Sequence, residues 1–223
     1  VIFILGIFPD SDLLSQMWQI LNLELLENNL FKSLYYLHYQ PPMWNFFIGL
    51  FVKTVGPNYK LIALCIYLFN LFCSLLNIFI FFKICNFFSL SKIKTYVCFF
   101  IFIIFSASYI FYENYGHYTH FTMTIYLFLI VNFLLFAKTE KFFYEFFIYL
   151  SALLLVYTWS AFSHPLFIIL IFGTIILIKY KKNLKKSIFT FLIAITISSL
   201  LSFKNKIELN FFGNTSWIGL QVT

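Results

Sequence analysis

Between residues 60 and 203 the sequence is a series of apolar runs, at 60–82, 95–112, 119–137, 142–159, 165–180 and 187–203, with short polar breaks between them. Each run is at or near the roughly 20 residues that carry a helix across the hydrocarbon of a bilayer. In that medium the backbone must satisfy its own hydrogen bonds, so runs of this kind are helical. No water-soluble surface can be assembled from them. Charged residues make up 10% of the chain, against about 25% in a soluble domain. The expectation is an all-α, multi-pass transmembrane helical bundle embedded in a lipid bilayer.

All 15 basic residues are Lys, and the formal net charge is +7. That balance does not make a nucleic-acid face, because the lysines stand between apolar spans, where they act as orientation signals. They cluster at 83–94, at 138–141 and at 179–186. The three clusters alternate correctly with the spans if all of them are cytoplasmic. The breaks Glu113–His120 and Ser160–Pro165, and the tail from Lys204, then share the opposite side. Three of the four histidines and the Glu113–Asn114 pair would face one compartment outside the cytoplasm. Cys65, Cys73, Cys85 and Cys98 lack metal-ligand spacing and read as packing residues.

The first forty residues have another character. Residues 1–8 read as the end of a first span, so the chain reads as a fragment of a longer protein. Residues 9–40 read as an extracytoplasmic loop that carries an amphipathic helix over 13–37. In that helix Leu14, Met17, Trp18, Leu21 and Leu25 recur at helical spacing, with a break near Asn28–Asn29. The bundle is expected over 41–203, and the start of a further extracytoplasmic segment over 204–223; the whole is one transmembrane domain. The run from Met43 to Gly56 is ambiguous. Its fourteen residues rise about 21 Å as a helix, short of a hydrocarbon core of about 30 Å, which favours a half-helix or hairpin over a full crossing.

The string Tyr36-Leu37-His38-Tyr39-Gln40-Pro41-Pro42-Met43-Trp44-Asn45 resembles the H/K-x-Pro-Pro element of the GT-C superfamily of membrane glycosyltransferases. It is most similar to an uncharacterised bacterial branch near the protein-mannosyltransferase and aminoarabinose-transferase families. In that superfamily an acidic residue after the first span precedes the element by about thirty residues, where Asp10 and Asp12 stand here. Phe111-Tyr112-Glu113-Asn114, Tyr118-Thr119, Ser163-His164-Pro165 and Gly213-Asn214-Thr215-Ser216-Trp217 follow in the order of the branch. The sequence holds no arginine, the residue that relatives often set near the lipid-linked phosphate.

The resemblance implies transfer of a sugar from a polyprenyl-phosphate-linked donor to an unknown acceptor at the outer face of a bacterial cytoplasmic membrane. Such chemistry needs a carboxylate to take the proton of the attacking hydroxyl and donors to stabilise charge on the departing phosphate. Asp12 or Asp10 would be the base; the plainer role for either is the N-cap of the helix that follows. His38, Gln40, Glu113, Asn114, His117, His120 and His164 would bind substrate; each histidine and the Glu113 acid has the alternative of an interfacial residue without a task. His117 and His120 leave room for a divalent cation, but no third ligand is spaced for it, and no cofactor is expected. Lys53 and Lys60 could serve the phosphate if 43–56 is a hairpin, but snorkelling is the plainer role. Glu140 and Glu145 lie near the cytoplasmic end and read as structural. Two other functions remain open: a flippase or transporter of lipid-linked sugars, which would need polar groups near the midplane, and a surface-polysaccharide polymerase or ligase.

Overall fold

The computed structural model of the protein describes residues 20–105, 118–162, 165–179 and 184–213, with the backbone alone at 102–105. Asp10, Asp12, Glu113, Asn114, His117 and His164 lie outside the described residues. Those that are described form helices α1 (Leu23–Tyr36), α2 (Met43–Val55), α3 (Tyr59–Phe87), α4 (Lys92–Phe105), α5 (Thr119–Thr139), α6 (Phe142–Thr158), α7 (Leu166–Ile178) and α8 (Lys185–Leu209). A turn of 3₁₀ helix at Ser160–Phe162 follows α6, and no strand occurs among the described residues. Three helices, α3, α5 and α8, are long and apolar enough to cross a membrane. The apolar runs at 43–56, 142–159 and 165–180 are shorter helices of 13, 17 and 13 residues.

Helix ends follow backbone chemistry more than hydropathy. α3 runs five residues beyond the apolar stretch that ends at 82, so Lys83 stands on the helix with its ammonium 5.3 Å from the Phe79 ring centre. α8 continues past 203 to Leu209, so Lys204 and Lys206 are helical and do not open a tail. A left-handed residue follows each of the three long helices: Ser89 two residues after α3, Glu140 after α5 and Asn210 after α8. That conformation ends a helix by turning the chain out of register with the i→i−4 ladder.

The chain divides into two compact units. One comprises the described residues to Tyr35 together with Trp44–Thr124; the other comprises Tyr36–Met43 and the residues from Ile125 onward.

In the first unit, Asn22 starts α1 by accepting the Glu24 amide on its side-chain oxygen at 2.8 Å. The helix is broken at Asn29 (φ −137°, ψ 42°), where the sequence places the break. Its buried face is Leu23, Leu26 and Leu30, packed with Trp44, Ile48 and Val52 of α2 and Ile62, Ala63 and Ile66 of α3. Leu25, expected on the apolar face, is exposed. Of the helix expected over 13–37, the part to residue 19, with Leu14, Met17 and Trp18, lies outside the described residues, and 20–22 are not helical. Asn45, buried in α2, accepts the Leu21 amide at 2.8 Å and ties the approach of α1 to the core. Gly56 takes a positive φ of 75°, and Asn58 then caps α3 by accepting the amides of Lys60 and Leu61.

Gly49 lets α1 and α2 touch, since a Cβ there would run into the Leu30 side chain. Gly49→Val is therefore expected to destabilise this unit by about 1–3 kcal/mol through overpacking. Chemical unfolding in detergent measures the loss, and Leu30→Ala should relieve part of it.

In the second unit, α6, α7 and α8 pack on one another. α8 presents small and amide side chains to its neighbours: Ser187, Ala194, Ser198, Ser202 and Asn205 are its buried residues. In lipid, where apolar side chains gain nothing by leaving the solvent, small residues at the seam let helices approach and gain dispersion contacts. The Tyr157 hydroxyl of α6 donates to the Ile197 carbonyl of α8 at 2.6 Å, and Phe172 of α7 stacks on Phe191 of α8 with centroids 4.1 Å apart.

Candidate functional site

The Pro-Pro element begins α2. Pro41 and Pro42 come directly before Met43, the first residue of that helix, where a missing N–H costs no helical hydrogen bond. Ahead of them, Gln40 is buried and His38 half-buried, and the rings of His38 and Tyr39 meet edge to face at 6.1 Å. Burial pushes the Tyr39 phenol up from its ordinary value. The Lys204 ammonium donates to the Leu37 carbonyl at 3.0 Å. A cation from the far end of the chain is thus fastened one residue from His38. Hydropathy falls at 203 and hides Lys204 from a reading of the sequence; the lack of a helix breaker before Asn210 is the signal that the helix continues.

His120 belongs to the first unit and is 1% exposed, near the start of α5. Its backbone carbonyl accepts the Thr124 hydroxyl at 2.9 Å, and the same hydroxyl reaches the Cys73 carbonyl of α3 at 3.4 Å. This arrangement knits α5 to α3. Asn70, Ser74 and Asn77 lie buried along one side of α3, in the middle third of a 29-residue helix. Polar groups thus occupy the interior of a membrane-length helix. Among the described residues no group of three or more His, Cys, Asp or Glu side chains comes together to hold a metal ion.

A second polar centre forms at the other end of α8. Lys179, which caps the end of α7, donates from Nζ to Glu145 Oε2 of α6 at 2.7 Å and to Ser187 Oγ of α8 at 2.8 Å. The Phe136 ring of α5 lies 5.3 Å from the same nitrogen. Glu145 is fully buried. Two hydrogen bonds and a ring face account for the three N–H groups of the ammonium. Lys179 is therefore a buried counter-ion, and its sequence assignment to a surface orientation cluster is incomplete. Ser187 and Lys204 are seventeen residues apart on α8, so the two centres are separated by about 26 Å along that helix.

The described residues define an all-helical chain with three membrane-length helices, which is the mark of a membrane protein. No family model, curated protein or solved structure matches it.

Proposed function

We propose that this chain is part of a multi-pass membrane glycosyltransferase of the GT-C kind. In this reading it moves a sugar from a polyprenyl-phosphate carrier to an acceptor on the extracytoplasmic side. The observation that carries the reading is the Lys204 ammonium fastened to the Leu37 carbonyl, beside His38 and Gln40. A chain without arginine needs another cation for the departing phosphate, and Lys204 is one held at the Pro-Pro element. The Tyr39 phenol, whose ring meets that of His38, is a further donor at the same element. Asp12 or Asp10 is the base that takes the acceptor proton, and the lysine clusters near 138–141 and 179–186 mark the cytoplasmic side.

The test uses the full-length protein in proteoliposomes with a radiolabelled polyprenyl-phosphate sugar. Wild type is expected to release the sugar from its carrier. Lys204→Met should lower the rate by about 10- to 100-fold, the effect of removing one charge-assisted donor, and Lys204→Arg should keep most of it. A wild-type protein that leaves the donor intact with every acceptor fraction supplied would overturn the reading.

The buried Asn70, Ser74 and Asn77 at the middle of α3 favour one competing function, the movement of a lipid-linked sugar across the membrane. The same vesicles separate the two. A transporter carries the donor to the opposite leaflet with its sugar–phosphate bond whole.

A further inference from the structure

The Lys179 centre has two polar atoms that its hydrogen bonds do not use. Glu145 Oε1 and the Tyr149 hydroxyl are buried, and neither has a hydrogen-bond partner among the described residues. Glu145 and Tyr149 are four apart on α6 and share a face of the helix. Polar atoms at such a place are costly unless something satisfies them. The charge already present limits what that can be. Lys179 neutralises the Glu145 carboxylate, so a further cation would bring an uncompensated charge into a buried site, and an anion would meet the carboxylate oxygen. A neutral molecule that donates to Oε1 and exchanges a hydrogen bond with the phenol fits both atoms, and water is the smallest such molecule.

We propose that Glu145 and Tyr149 hold one water molecule beside the Lys179 ammonium, and that this hydrated pair keeps Lys179 withdrawn from the lysine-bearing surface around it. Lys138 and Lys141 near the turn from α5 to α6, and Lys185 and Lys186 at the start of α8, are exposed at the same end of the unit. Lys179 differs from them in that its charge is spent inside. The carboxylate holds the ammonium, the water holds the carboxylate's second oxygen, and α7 stays joined to α6 and α8 through its C-cap.

Two measurements on the full protein in lipid test this. The first is acylation of lysines by an amine-reactive ester, read residue by residue by mass spectrometry. In wild type, Lys179 is expected to react on the order of 10- to 100-fold more slowly than Lys186, the factor that charge-assisted hydrogen bonds impose. In Glu145→Gln its rate should rise to that of Lys186. The second is X-ray radiolytic footprinting, in which bound water generates hydroxyl radicals in place. Tyr149 is expected to be oxidised well above Trp44, which is as deeply buried but packed among aromatic rings. Acylation of Lys179 at the rate of its exposed neighbours in wild type would overturn the proposal, as would continued protection in Glu145→Gln. Tyr149 as inert as Trp44 would remove the water. Both wild-type readings stand even if the variant fails to fold.

Discussion

Glu145→Leu alone is expected to cost about 3–5 kcal/mol of folding stability, because it leaves the Lys179 ammonium buried without its carboxylate. Lys179→Met alone should cost a similar amount by stranding the Glu145 charge. The double variant Glu145→Leu/Lys179→Met should return to within about 1–2 kcal/mol of wild type, since apolar side chains of similar volume replace a buried pair with little loss. The measurement is a double-mutant cycle of denaturant unfolding in mixed micelles, which isolates the coupling between the two sites. A double variant as unstable as the sum of the singles would mean that the two side chains act independently, and that the 2.7 Å contact does not organise this end of the unit. The comparison with Lys186→Met, at an exposed position, should show almost no change.

The second large effect is expected in chemistry. On the proposed transferase function, either Asp12→Asn or Asp10→Asn should lower sugar transfer by about 10²- to 10⁴-fold, the usual contribution of a positioned general base. The other substitution should leave transfer nearly unchanged. The competing role, a helix cap, has a different signature. Losing a cap costs about 0.5–2 kcal/mol of stability and does not by itself remove a proton acceptor; Asn also caps well, so the Asn variant should barely disturb that role. Rates of transfer from a labelled donor at saturating lipid, set beside unfolding curves for the same proteins, separate the two. Full transfer in both variants would exclude a base at either position.

Three helices of membrane length were legible because apolar run length is a physical requirement of the bilayer. Residues 60–82, 119–137 and 187–203 each fall inside a helix long enough to cross. The break at Asn29 and the start of α2 after Pro41-Pro42 were legible for local reasons, namely the turn preference of Asn and the fixed φ of proline. Helix ends were not, because hydropathy ends a span at its first charge. Lysine can remain on a helix by reaching for water or, as Lys179 does, for a carboxylate. The Lys179–Glu145 contact and the Lys204–Leu37 bond join residues 34 and 167 positions apart. Nothing in local spacing encodes such contacts. Of the site residues named from the sequence, only His38, Gln40 and His120 fall among the described residues. The first two belong to one compact unit and His120 to the other.

The unequal lengths of α6 and α7 explain why a lysine needs a counter-ion here at all. α6 has 17 residues and α7 has 13, so the returning helix stops about one turn, or some 6 Å, short of the point where its partner began. Counting from the facing ends of the two helices, Thr158 and Leu166, Glu145 and Lys179 each lie 13 residues along, so Lys179 comes level with Glu145 and not with the exposed Lys141. One extra turn in α7 would carry the same ammonium out to water and leave Glu145 to face apolar surroundings. The shortfall therefore selects which cation is stored and which acid must answer it, a rule of length that could be read from helix boundaries in any hairpin of this design.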